Sequence, residues 1–148
     1  MYRSGSKDGT YTLLGTTTAT NYTDSKANAG YIYYYKVKAV NAVGAKSVYS
    51  AAVAATCHCA RPVVKIATTS AGNPTLTWNA VTGASQYEIY RATSQSGTYT
   101  KMFTTTKTSY TNTSAKAGTT YYYKVKAISK VRSTANSSFS TVVSIKAK

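Results

Sequence analysis

An all-β fold, built as a two-sheet antiparallel sandwich, is what this 148-residue sequence predicts. β-Branched and aromatic residues dominate it, with 15 Tyr against two Phe and one Trp, and such residues favour strands. Short stretches alternate apolar and polar side chains, which is the period of a half-buried strand, and Gly, Asn, Ser and Pro clusters separate them as turns. No stretch carries the helical period of about 3.6 residues.

The chain also repeats itself. Tyr2–Val40 recurs without a gap at Tyr90–Ile128, and about 23 of the 39 pairs are identical, the mark of one folding unit copied in tandem. Each full unit, about 88 residues, is the size of a small single-core domain. Residues 61–89 have no earlier counterpart. The expected organisation is a partial repeat over 1–56 holding later strands only, a linker over 57–61, and a complete domain over 62–148. Since the chain opens inside a repeat, Met1 is expected to be an artificial boundary. The polar residues after it show no leader segment.

Within the complete unit, "PVVKIA" at 62–67 reads as a first strand entered through a proline, which suits an edge. "TLTW" at 75–78 follows a turn and places Leu76 and Trp78 on one face. "QYEIYR" at 86–91 puts Tyr87 and Ile89 inward, Glu88 and Tyr90 outward. After the "SQSG" turn come "TYTKMFTTT" at 98–106 and a short strand around "TSYT" at 108–111. "TYYYKVKAIS" at 120–129 is the strongest strand. A last strand is expected over Ser138–Lys146. Seven short strands separated by turns indicate a sandwich.

The lone Trp78, the Tyr87-x-Ile89 pair and "GTTYYYKVKA" at 118–127 together resemble the fibronectin type III domain, an immunoglobulin-like fold. Gly118, Thr119, Tyr121, Val125 and Ala127 match that family's sixth-strand pattern, and Gly30, Tyr33, Val37 and Ala39 repeat it. The resemblance covers 61–148 fully and 1–56 as a partial copy. It implies that Tyr121 and Tyr33 form the tyrosine corner, with the hydroxyl bonded to nearby backbone. It also implies a core of Leu76, Trp78, Tyr87, Ile89, Tyr121, Tyr123 and Val125. The Lys, Thr and Tyr-rich style is similar to repeats of secreted or surface-attached bacterial proteins, so an extracellular or cell-surface setting is expected.

Residues 1–56 lack the counterparts of Val64, Leu76, Trp78, Tyr87 and Ile89, which should leave Tyr33, Tyr35, Val37 and Ala39 partly uncovered. Such a face is expected to be disordered, to lie on the complete domain, or to meet its own copy in a homodimer, with the dimer preferred.

Eighteen Lys and Arg against three acids give a formal charge of +15, a field that keeps the chain soluble and attracts polyanions. Two outward rows, Tyr122, Lys124 and Lys126 with Tyr90, and Tyr34, Lys36 and Lys38, are the candidate binding face for an anionic polymer or glycan. The competing reading is a solvated sheet face of cross-strand Tyr–Lys pairs. No run of about 18 apolar residues offers a membrane span.

Catalysis is not expected. The three acids (Asp8, Asp24 and Glu88) lie in separate segments, which leaves no carboxylate pair for glycoside cleavage. His58 is the sole histidine, and no phosphate-cradling glycine loop appears. Cys57-His58-Cys59 at the junction reads first as a linker with two thiols. A disulfide involving Cys57 and Cys59, or a metal site, are the alternatives. No cofactor is implied. "NYT" at 21–23, "NTS" at 112–114 and "NSS" at 136–138 fit the glycosylation sequon, as chance allows in so Thr/Ser-rich a chain. The expected role is a non-enzymatic spacer or interaction module whose partners are other domains of a larger protein. An adhesive module is the alternative.

Overall fold

A computed structural model describes residues 1–148. Eleven strands follow in chain order: β1 Tyr2–Ser4, β2 Thr12–Leu13, β3 Ile32–Lys36, β4 Val53–Thr56, β5 Val64–Thr68, β6 Pro74–Trp78, β7 Ala84–Ala92, β8 Thr100–Thr105, β9 Ser109–Thr111, β10 Thr120–Ser129 and β11 Val143–Lys146. They form three antiparallel sheets, β2-β1-β3-β4, β11-β10-β7-β8 and β5-β6-β9. One short 3-10 turn at Ser133–Ala135 is the only helical element, so no helix is long and apolar enough to cross a membrane.

The second and third sheets face each other. Along β10 burial alternates at every residue, with Tyr121, Tyr123, Val125 and Ala127 inward. This is the period-2 geometry of a strand with one face in a core. The opposite wall comes from β5 and β6, whose register sets Val64 across from Trp78 and Ile66 across from Leu76. The resulting cluster joins Cys59, Val64, Leu76, Trp78, Tyr87, Ile89, Tyr121, Tyr123, Val125, Ala127 and Ala147. Trp78 lies edge-on to Tyr87, ring centroids 5.3 Å apart.

Tyr rings carry hydroxyls into this core, and each needs a partner. Tyr121 Oη accepts from the backbone N–H of Lys116 at 3.1 Å, and Tyr33 Oη accepts from that of Asn28 at 3.2 Å, the same five-residue step in both repeats. Tyr87 Oη accepts from the Val81 N–H at 2.8 Å. Tyr123 is fully buried and its Oη accepts from Asn112 Nδ2 at 2.7 Å.

The last strand is shorter than the sequence suggests, starting at Val143 instead of Ser138. Residues 137–140 do run beside β10, but serine side chains do part of what a ladder would. The N–H groups of Val125 and Ala127 donate to Ser140 Oγ at 3.0 Å and Ser137 Oγ at 2.8 Å. The serine N–H groups in turn donate to the carbonyls of Val125 and Ala127. The three-residue spacing of the two serines breaks the strand period. In the first repeat, Ser50 and Ser47 bind the N–H groups of Val37 and Ala39 in the same way.

The first sheet repeats the second, β1, β2, β3 and β4 standing for the end of β7, β8, β10 and β11. No further sheet lies over it. Tyr33 and Tyr35 are only half-buried, whereas their counterparts Tyr121 and Tyr123 are 5% and 0% exposed. Val37 stays 46% exposed where Val125 is fully covered.

One substitution between the repeats has an electrostatic cost. In the first repeat Asp24 accepts from Arg3 Nη1 and from Tyr35 Oη, both at 2.9 Å. Burial raises the Tyr35 hydroxyl, and the hydrogen bond to Asp24 raises it further, to about 12. In the second repeat Asn112 stands at the position of Asp24, and the matching Arg91 Nη1 is buried without a hydrogen-bond partner. Both arginines lie 4.8 Å from a ring, Arg3 over Tyr33 and Arg91 over Tyr121. We predict that Asn112→Asp restores the pair. An unpaired buried donor costs about 1–3 kcal/mol, so recovering even part of that should raise stability by ~1 kcal/mol. Urea denaturation at neutral pH checks this. A lower midpoint would mean that desolvating the new carboxylate outweighs the gain.

Candidate functional site

The outer face of the β7–β10 pair carries a ladder of lysines and rings. Lys124 is directly across from Tyr90, and Lys126 from Glu88. Lys124 Nζ lies 4.2 Å from the ring centroids of both Tyr99 and Phe139, and Lys126 Nζ lies 5.6 Å from Phe139. Phe139 meets Tyr90 edge to face, centroids 5.0 Å apart. Tyr99 arrives from the turn before β8 and is tethered by its hydroxyl donating to the Gln95 carbonyl at 3.1 Å. Phe139 is carried between Ser137 and Ser140, whose bonds to β10 aim its ring back over the sheet.

The first repeat builds the ladder again. Lys36 Nζ is 4.2 Å from the Tyr11 ring, and Lys38 Nζ is 4.0 Å from the Tyr49 ring. Tyr49 meets Tyr2 edge to face at 5.0 Å. Tyr11 is tethered like Tyr99, its hydroxyl donating to the Lys7 carbonyl at 2.8 Å. Tyr2, Tyr11, Lys36, Lys38 and Tyr49 thus correspond to Tyr90, Tyr99, Lys124, Lys126 and Phe139. An ammonium over a ring gains about 0.5–1 kcal/mol at an exposed site and holds the flexible stem in place. All four lysines are accordingly half-buried.

Of the residues predicted for this face, Tyr90, Lys124, Lys126, Lys36 and Lys38 come together in the ladders. Tyr34 and Tyr122 do not join them as ring partners, though Tyr122 is near enough to add to the upward shift that burial gives the Tyr99 hydroxyl. The partners Tyr11, Tyr49, Tyr99 and Phe139 escaped the sequence reading, because they come from loops and only the fold sets them over β3 and β10.

Acids are sparse here. Glu88 binds Lys101 at 3.1 Å and accepts from Tyr90 Oη at 2.8 Å. Burial opposes its charge, but the bonds from Tyr90 and Lys101, with the nearby Lys126, hold the carboxyl below its usual range. Asp8 lies close enough to Tyr11 to help raise that hydroxyl, after burial.

The junction differs from the sequence expectation. Both thiols, Cys57 and Cys59, are free. Cys57 Sγ faces the Ala27 carbonyl at 3.5 Å, while Cys59 is 4% exposed and belongs to the core of the second unit. Burial pushes the Cys59 thiol up, and a hydrogen bond with Ser129 only partly offsets this. His58 Nδ1 lies 3.3 Å from the Asn136 carbonyl. Residues 57–62 are therefore docked, not a loose tether: the Cys59 N–H donates to the Ala135 carbonyl at 2.9 Å, and the Gly30 N–H to the Cys57 carbonyl at 2.7 Å. Of the three sequons, Asn112 is fully buried and closed to modification in the folded chain.

No protein-family model matches the chain. It is 31% identical over 130 residues to Exoglucanase B of Cellulomonas fimi, a match that takes in 78% of this chain but only 11% of that protein. The solved Fn3-like protein from Clostridium thermocellum is 38% identical, covering 55% of this chain and 86% of its own, with a TM-score of 0.47. The structure of FN3tt mut aligns at 27% identity and a TM-score of 0.51 over 60% of this chain and 94% of its own. With the paired sheets, the single core indole and the tyrosine hydroxyl bonds already described, the chain belongs to the fibronectin type III family.

Proposed function

We propose that the chain is a non-catalytic spacer module of a larger extracellular or cell-surface bacterial protein, with residues 62–148 as one complete domain and 1–56 as the later strands of another. The observation that carries this reading is the glycine-lined junction. A Cβ on Gly83 would sit 2.7 Å from Ala29 Cβ, and one on Gly30 would sit 2.7 Å from Val131 Cγ2. Only glycine permits that approach, and both residues also hold positive φ, 83° and 97°. Ala29 packs against the core of the second unit. A junction closed this tightly sets the angle between repeats and transmits position, which is what a spacer needs.

The chemistry of the acids supports the same reading. Asp24 and Glu88 are each engaged by a cation and a tyrosine, and both are held below the usual carboxylate range. In each, burial opposes the charge and hydrogen bonds outweigh it. A glycosidase acid needs the opposite, a carboxyl raised until it holds a proton at working pH. The similarity to a short part of Exoglucanase B fits an accessory stretch in a polysaccharide-acting protein.

Backbone 15N relaxation tests the proposal. Both repeats should report one tumbling time, and Gly83→Val should split it into two. Separate tumbling of the repeats in the unaltered chain would refute the rigid spacer.

A further inference from the structure

The twin ladders do more than decorate a solvated face. We propose that together they form a binding surface for a linear acidic polysaccharide, each ladder taking the carboxylates of one stretch of the chain. This goes beyond the spacer role and stands or falls separately from it.

The first ground is preorganisation. A free surface lysine loses rotamer freedom when it binds, but Lys36, Lys38 and Lys124 are already held over rings at 4.0–4.2 Å, and Lys126 lies 5.6 Å from Phe139. Their ammonium groups keep donors for an anion while part of the ordering cost is already met. The second ground is duplication. Identical side chains recur at four of the five positions, and the fifth changes only from Tyr49 to Phe139. The Phe keeps the ring and its lysine contacts without the hydroxyl, so the ring is what the position uses.

The third ground is charge. The faces hold two acids between them, Glu88 and Asp8, in a chain with 18 Lys and Arg. Glu88 is already bound to Lys101 and Tyr90, which leaves Lys124 without an acidic partner. Lys36 and Lys38 have none either, and Asp8 lies toward Tyr11.

The rings decide the class of polymer. Nucleic-acid bases need an open aromatic face on which to stack. Here each ring already meets an ammonium or another ring edge to face, which leaves less open face for a base. Sugar carboxylates need only the cations and no open ring face on which to stack.

The test is titration of the full chain with fluorescently tagged alginate oligomers of graded length, in low salt and again at about 0.2 M salt. Binding should weaken at least tenfold between the two conditions, through counterion release. Lys36→Gln/Lys38→Gln or Lys124→Gln/Lys126→Gln should each cost about tenfold with long oligomers, and the quadruple variant at least 100-fold. Lys→Arg variants at the same positions should keep binding, and circular dichroism shows which variants are folded. Absence of binding at low salt overturns the proposal. So does binding unchanged in a folded quadruple variant, which would place the affinity in the general charge. Tighter binding to oligo-dT than to alginate of equal charge overturns the assignment to polysaccharide.

Discussion

Replacing Trp78 with Ala should destabilise the second unit by about 3–5 kcal/mol, the range for emptying a core position of an aromatic ring. That is a large share of the ~5–15 kcal/mol available to a domain of this kind. The indole is 6% exposed and fills the space between β6 and the inward face of β7, against Tyr87. The other ring of the β5-β6-β9 sheet, Tyr110, is already packed against the core, so a collapse that repairs the hole would have to move a whole sheet. Trp78 Nε1 is buried without a hydrogen-bond partner, so Trp78→Phe removes an unsatisfied donor along with some volume. The Phe variant should therefore cost less than half as much as the Ala variant. Urea denaturation followed by far-ultraviolet circular dichroism measures both, since Trp78 is the sole tryptophan and its fluorescence is lost with it. A shift below about 1 kcal/mol for Trp78→Ala would show that the ring does not hold the two sheets together.

The pair Ser137→Ala and Ser140→Ala should come next, at about 1–3 kcal/mol each, because each leaves a buried N–H with no acceptor. The two sites adjoin, so the double variant need not equal the sum. Val125 and Ala127 are both fully buried, and water cannot replace the lost hydroxyls. Hydrogen exchange at these two amides should accelerate selectively in the variants. The first repeat provides an internal control. Ser47 and Ser50 make the same bonds to Ala39 and Val37, but there the groups are exposed, so Ser→Ala should cost only a few tenths of that amount. Equal effects in both repeats would mean that the hydroxyls do not act through backbone satisfaction.

Much of the architecture is legible in short patterns. The alternation of Tyr121, Tyr123, Val125 and Ala127 places β10 and its inward face, and the Leu76-x-Trp78 spacing does the same for β6. The repeat marks residues 1–56 as a sheet whose inner face is uncovered, and exposure at Val37 follows. Reading Ser138–Lys146 as one strand goes wrong because serine hydroxyls can stand in for ladder acceptors, an exchange that alternation does not report. The Ser-x-x-Ser spacing kept in both copies is the signal that could have shown it.

The candidate face divides in the same way. Lys124, Lys126 and Tyr90 were legible because neighbouring strands share one face at fixed spacing. Tyr99 and Phe139 were not, since each enters from a loop. Cys59 looked like part of a linker because nothing local distinguishes a tethering residue from one that closes a core.

Side-chain alternation along a strand and the copying of a unit are local properties of the chain, so composition and spacing were enough to establish the sandwich, its inward residues and its surplus of positive charge. Which rings cap which lysines, how Gly30 and Gly83 bring the repeats together, and why Arg91 lacks a partner depend on groups far apart in sequence. Those contacts form only when the sheets close and loop entropy has been overcome, so they belong to the folded arrangement and leave no periodic trace along the chain.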